Sequence, residues 1–132
     1  MTRLLLDTTF LIDADRSGQS LDEVIADDDD VAIAAITIAE LRVGALLGRR
    51  RAAAERTALL EDVLSTVPVI AYDVAVAEAH ARLLVEVRRQ GRPRGGHDLL
   101  IAATAAASNR AIVTADATAF ADLAGLQVLG HR

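Results

Sequence analysis

Arg3-Leu4-Leu5-Leu6-Asp7-Thr8-Thr9-Phe10-Leu11-Ile12 is the stretch on which the fold turns. Three consecutive leucines with no polar alternation predict a short strand buried on both faces, and Asp7-Thr8-Thr9 is a helix-start signal that ends it. A helix then runs through Phe10-Leu11-Ile12 to the break at Arg16-Ser17-Gly18. The same order recurs along the chain. A second helix is expected over residues 20–26, with the acidic run 27–30 as a solvated turn. Val31-Ala32-Ile33-Ala34 is the next apolar strand, and Thr37-Ile38-Ala39-Glu40 opens a helix that carries Leu41, Ala45 and Leu46 and stops at Gly48. Residues 50–66 predict a long amphipathic helix with Leu59, Leu60, Val63 and Leu64 on its apolar face. A strand over 68–72 leads to Asp73, which is placed to cap a helix reaching about Gln90. Residues 91–96 form the one loop rich in Gly and Pro. A very apolar helix from His97-Asp98 to Ser108 follows, with Asn109 suited to its C-terminus. Ala111-Ile112-Val113-Thr114 is a strand, Asp116 opens a short helix with Phe120 and Leu123, and residues 126–129 are a last short strand. Alternating strands and helices, with continuously apolar strands, predict an α/β fold whose central, mainly parallel sheet is covered by helices on both faces. With no internal repeat or linker, a single domain over residues 1–132 is expected.

Composition removes several classes of function. The 132 residues contain no cysteine, which excludes a disulfide scaffold, a thiolate metal site and a cysteine nucleophile. All 14 bases are arginine, so no lysine is present for a Schiff base or a phosphate-binding P-loop. Phe10, Tyr72 and Phe120 are the only aromatics, too few for a stacking platform of the single-strand-binding kind. The longest uncharged apolar stretch, Leu99 to Asn109, is far short of a membrane span, and Asp7 cuts off any signal-peptide core. A soluble, cytoplasmic protein with no membrane partner is the expectation.

Four acids stand at equivalent places, at strand ends or helix starts, where open parallel sheets build their sites. Asp7 directly follows the first strand, Glu40 lies in the first turn of the helix after the second, Asp98 in the first turn after the Gly-rich loop, and Asp116 two residues past the Ala111–Thr114 strand. Each also has a purely structural explanation. Asp7 can be an N-cap, Thr37 to Glu40 a capping box, Asp98 a favourable charge at a helix N-terminus, and Asp116 a cap. Taken together they suggest more. Converging carboxylates repel unless a cation sits among them, and Mg²⁺ and Mn²⁺ take oxygen ligands. With no cysteine, and with histidines scattered at 80, 97 and 131, zinc is poorly supported. An acidic site holding a divalent ion suits phosphodiester hydrolysis.

Leu4-Leu5-Leu6-Asp7-Thr8-Thr9-Phe10-Leu11-Ile12-Asp13 resembles the opening of PIN-domain proteins. Ile36-Thr37-Ile38-Ala39-Glu40-Leu41-Arg42-Val43-Gly44 is similar to their second motif, His97 to Ala105 to the third, and Ile112-Val113-Thr114-Ala115-Asp116 to the fourth. The four acids come in the family's order, 33, 58 and 18 residues apart. The resemblance covers essentially the whole chain, and the compact length is similar to the VapC-type toxins of bacterial toxin–antitoxin pairs. It implies a PIN-like three-layer sandwich and a Mg²⁺- or Mn²⁺-dependent endoribonuclease, held inactive by a cognate antitoxin and forming homodimers. By motif position it implies Asp7 and Asp98 as central metal ligands, Glu40 and Asp116 completing the cluster directly or through waters, and Thr8 and Thr114 in support. One departure stands out: many relatives have asparagine where Asp116 stands and aspartate three residues later, where this chain has Ala119.

RNA binding draws on cationic contacts to phosphate, while the chain has a net charge of −5. Positive charge is therefore sought locally. Arg88, Arg89, Arg92 and Arg94 lead into Asp98, and Arg49-Arg50-Arg51 follow the Glu40 helix; Arg92 and Arg94 are the expected RNA contacts, with a solvated helix end as the alternative. His97, next to Asp98, reads as an exposed loop histidine, with a phosphate contact as the alternative. The segments Phe10–Asp15 and Leu41–Leu47 are candidates for an antitoxin groove. A receiver-type signalling domain would need a lysine, and a haloacid-dehalogenase-like phosphatase a second aspartate where Thr9 stands. A non-catalytic PIN-like RNA-binding or scaffold protein is the alternative reading.

Overall fold

The computed structural model describes residues 2–19, 23 and 25–130. The elements are β1 (Arg3–Leu6), α1 (Thr8–Arg16), β2 (Asp30–Ala34), α2 (Ala35–Leu47), α3 (Arg50–Thr66), β3 (Val69–Ile70), α4 (Val74–Gln90), α5 (Gly96–Ser108), β4 (Ala111–Thr114), a 3₁₀ turn (Ala117–Phe120) and β5 (Val128–Gly130). The helix expected over residues 20–26 falls largely outside the described residues.

The five strands form one sheet in the order β3-β2-β1-β4-β5, and every pairing is parallel. Strand alternation divides the apolar residues between two cores. Leu5, Ala32, Ala34 and Ile112 face α4 and α5 through Val76, Ala79, Leu83, Ile101 and Ala102. Leu4, Leu6, Ile33 and Ala111 face the other way, onto Phe10 and Leu11 of α1, Leu41 of α2 and Leu59, Leu60 and Val63 of α3. Burial on both faces is why the strands are continuously apolar. The result is a three-layer α/β sandwich. No described helix is long and apolar enough to cross a membrane.

Several local expectations shift. Helix α2 starts at Ala35 directly after the strand, with Ala34 as N-cap, so Thr37 to Glu40 is not a capping box. Leu64 is exposed, and the apolar face of α3 is carried by Leu59, Leu60 and Val63 alone. Asp30 is not part of a solvated turn. It opens β2, and Arg110 donates to its side-chain Oδ1 at 3.0 Å and to its backbone carbonyl at 2.7 Å, while Arg3 lies 3.5 Å from Oδ2. This ties the starts of β1, β2 and β4 together at the end of the sheet opposite the acids. The helix caps behave as expected at Asp73, which accepts from the Val76 N–H at 3.0 Å, and at Asn109, which adopts the left-handed conformation at φ 57°.

Candidate active site

In the order β3-β2-β1-β4-β5, the chain builds outward from β1 on one side through β2 and β3, and on the other through β4 and β5. The reversal lies beside β1, and ligand crevices in open α/β sheets form outside the carboxyl ends of the strands at such a point. Asp7 stands there. It is only 3% exposed, and three donors offset the cost of burying its charge. The Thr8 N–H donates to Oδ1 at 2.8 Å, while the hydroxyls of Thr9 and Thr114 donate to Oδ2 at 2.7 and 2.6 Å. Asp7 therefore is the N-cap of α1, and its other oxygen is held from two separate elements.

The two threonines also organise the end of β4. Thr9 Oγ1 accepts from the Ala115 N–H at 3.2 Å, and Thr114 Oγ1 accepts from the Asp116 N–H at 3.0 Å. Asp116 is thus fixed at its backbone through the hydroxyl that holds Asp7. Its side chain is exposed and does not cap the 3₁₀ turn; the Thr118 hydroxyl donates to its Oδ1 at 2.6 Å.

On the other side of Asp7, the Thr8 hydroxyl donates to Glu40 Oε1 at 2.7 Å, and the buried Thr37 hydroxyl lies 3.1 Å from Thr8 Oγ1. Thr37 and Glu40 are three apart on α2 and therefore share a face. The second oxygen of Glu40 lies 3.4 Å from His97 Nδ1, so the first turn of α5 meets α2 across the site. His97 is exposed, as its sequence context predicts, but it is not without a partner.

Asp98, half-buried in that same turn, is raised from its ordinary pKa of 3.8. Burial is the largest cause. The negative charges of Asp7, Glu40 and Asp116 each push the same way, and His97 opposes them. Its side chain folds back over the loop, where a Cβ added at Gly95 would sit 2.9 Å from Oδ2. The four acids picked out in the sequence thus share one electrostatic field, and two of them are joined through Thr8. As donors they are hard oxygen ligands of the kind Mg²⁺ and Mn²⁺ take. As the side chains stand, no three or more His, Asp or Glu residues among those described close into a metal-ligating cluster.

Arg92 and Arg94, in the loop before α5, spend donors within the protein. Arg92 pairs with Asp122 at 2.7 Å, and Arg94 donates to the Ala121 carbonyl at 2.6 Å. With the Gln90 amide donating to the Asp122 carbonyl at 2.9 Å, they fasten the Gly-rich loop to the segment after the 3₁₀ turn. Thr9, Thr37 and His97 are the contributors that residue-type reasoning did not assign to the site. Thr9 and Thr37 each had a usable signal, being hydroxyls two residues past Asp7 and one turn before Glu40.

Comparison with known proteins bears on what this site does. The PIN-domain family matches residues 4–126. The chain is 40% identical over 115 residues to ribonuclease VapC5 of Mycobacterium tuberculosis, covering 85% of this chain and 82% of that protein. It is 32% identical over 97 residues to the tRNA(fMet)-specific endonuclease VapC of Shigella flexneri, covering 74% and 72%. The crystal structure of VapBC-5, a member of the VapBC family of toxin–antitoxin systems from M. tuberculosis, superposes with a TM-score of 0.79 at 34% identity, covering 100% of this chain and 99% of that one.

Proposed function

The chain belongs to the PIN-domain family and is closely related to the VapC-type toxins of bacterial toxin–antitoxin systems; from this we propose that it is an endoribonuclease toxin that hydrolyses RNA phosphodiester bonds with Mg²⁺ or Mn²⁺ and is inhibited by a cognate antitoxin. The observation that carries the reading is the shared field of Asp7, Glu40, Asp98 and Asp116 at the carboxyl edge of the sheet. The donor chemistry fits a hard divalent ion: four carboxylates, with neither cysteine nor lysine in the chain. Asp7 and Asp98 would hold the ion, with Glu40 and Asp116 completing its surroundings directly or through water. When bound, such an ion activates water and offsets the charge that develops on the phosphate.

The chain's own part is to hold these groups still before the substrate arrives. Thr9 and Thr114 lock Asp7 Oδ2, and Thr8 orients Glu40 through Oε1 while His97 restrains Oε2. Preorganised groups of this kind need no rearrangement during reaction. Arg92 lies beside the loop with its side chain more than half exposed, and with Arg94 it is assigned to phosphate contact in this reading. The antitoxin is assigned to the apolar surface of α2, where Leu46 is 75% and Leu47 81% exposed and Val43 is exposed beside them; Phe10 and Leu11 are buried and offer no such surface. A homodimer completes the reading.

The test is cleavage of total cellular RNA with Mg²⁺ by wild type, Asp7→Ala and Asp98→Ala. Cleavage by wild type alone, abolished by EDTA, is expected. Activity that survives either substitution or persists in EDTA overturns the mechanism, and RNA binding without cleavage by the wild type points instead to a non-catalytic RNA-binding protein.

A further inference from the structure

Charge is unevenly spread along this chain. Residues 41–60 hold five arginines and one glutamate, while the other residues hold nine arginines and 18 acids. These residues are the hairpin formed by the end of α2 and the start of α3. Arg42, Arg49, Arg50 and Arg51 are all exposed, Arg51 with 94% of its side chain in solvent. Of the five, only Arg51 forms an ion pair with a described residue, Glu55 at 3.1 Å in the next turn of α3. Arg56 lies across Gly44, where an added Cβ would meet its Cγ at 3.0 Å, so the missing side chain lets that arginine cross α2.

The start of α3 does not explain this placement, although the same arginines also follow the C-terminus of α2, where cations are favourable. Arg49 is the N-cap of α3 and makes no capping bond; Arg50 and Arg51 occupy the first turn, which contains no acid. Cations at a helix N-terminus oppose the macrodipole, so three adjacent arginines there work against the helix they begin. Acids or hydroxyl caps would serve stability better. The arginines also sit on the continuation of the helix that carries Glu40. At ~1.5 Å per residue, the end of α2 lies about 10 Å beyond Glu40 along the helix axis, a distance a few nucleotides span.

We propose that the α2–α3 hairpin, through Arg49, Arg50 and Arg51 with Arg42 and Arg56 beside them, is a phosphate-binding arm that holds the RNA strand flanking the cleaved bond. The proposal rests on the ribonuclease reading above. It adds a second cationic surface to a chain of net charge −5. It also differs from the Gly-rich loop in chemistry: Arg92 and Arg94 are spent partly on Asp122 and Ala121, whereas Arg49 and Arg50 make no ion pair with any described residue.

The test is the salt dependence of binding to a fluorescent single-stranded RNA, measured by anisotropy in EDTA for the wild type and for the triple variant Arg49→Ala/Arg50→Ala/Arg51→Ala. Each phosphate contact contributes about −0.7 to the slope of log K against log salt for a single strand, so the triple variant is expected to be shallower by about 2. Its Tm should stay close to that of the wild type, because the removed charges oppose the dipole of α3 but favour that of α2, and the Arg51–Glu55 pair is exposed. In cleavage assays KM should rise while kcat is retained, since none of the three residues touches the acids. An unchanged slope overturns the proposal. A wild type that binds and cleaves RNA with no difference in the variant defeats the hairpin alone, whereas a wild type that does neither defeats the ribonuclease reading and the hairpin with it.

Discussion

Thr114 is the residue whose hydroxyl does most per atom: it is fully buried, donates to Asp7 Oδ2 and accepts from the Asp116 N–H. Thr114→Val keeps the shape and removes both bonds, leaving a buried carboxylate oxygen with one donor fewer. A loss of about 1–3 kcal/mol in urea denaturation is expected, with a larger loss of cleavage than Thr118→Val, whose hydroxyl reaches only exposed Asp116. Equal effects of the two substitutions would show that Thr114 does not organise the site. Asp98 supplies a pH prediction. Its folded pKa is raised above 3.8, so the folded state binds the extra proton between the two values and stability from this group is full below pH 3.8. It is lost as pH rises through the raised folded value. In EDTA at neutral pH, Asp98→Asn should therefore be more stable than wild type, by an amount that solvent screening keeps small; a thermal melt at pH 7 showing a lower Tm contradicts this. That Asp7, Glu40, Asp98 and Asp116 come to one edge of the sheet was legible in the sequence because carboxylates at strand ends are a pattern of type and spacing. Thr9 and Thr37 were not, because a hydroxyl's role depends on which acceptor the tertiary fold brings to it.

Individual elements were legible wherever side-chain period decided them. The three leucines of β1, the caps at Asp73 and Asn109 and the long helix α3 came out as expected. The start of α2 did not, because the sheet, rather than a capping hydroxyl, ends β2 and hands the chain to Ala35. That difference moves Glu40 from a local bond with Thr37 to a long-range bond with Thr8. Asp30 was misjudged for a related reason: its partners Arg110 and Arg3 are distant in sequence and meet it only when β1, β2 and β4 pair. The loop before α5 carries a sharper consequence. Gly95 has φ −60°, a conformation alanine adopts without strain, yet its added Cβ would lie 2.9 Å from Asp98 Oδ2. Gly95→Ala should displace that carboxylate without unfolding α5. The expected result is a Tm within about 2 °C of wild type and cleavage reduced by tenfold or more, as misplacement on the ångström scale can cost about a hundredfold. Full activity in the alanine variant would mean that Asp98 does not need the position it holds.

At the scale of the whole molecule, the parallel sheet imposes a cost that neither core relieves. Four carboxylates from residues 7, 40, 98 and 116 are gathered at one edge, and Asp98 is pushed upward there first by burial and then by the charges of the other three. In the unfolded chain they are far apart and feel none of it. A divalent cation that binds the gathered acids therefore binds the folded state and has little affinity for the unfolded one, and it stabilises the fold by mass action. At a hundred times its Kd the gain is about 2.7 kcal/mol, equivalent to roughly 5–10 °C in Tm for a chain of this size. Melts of wild type in EDTA and in increasing Mg²⁺ or Mn²⁺ should show this rise at constant ionic strength, where general screening is held fixed. Asp98→Asn should flatten it, because the substitution relieves the repulsion and removes a ligand together: its Tm begins above wild type in EDTA and falls below wild type in saturating Mg²⁺. That crossing of the two curves separates a specific cation site from diffuse charge neutralisation, under which both proteins would rise in parallel. Parallel curves would therefore reject a metal held by these acids even if the RNA is cleaved.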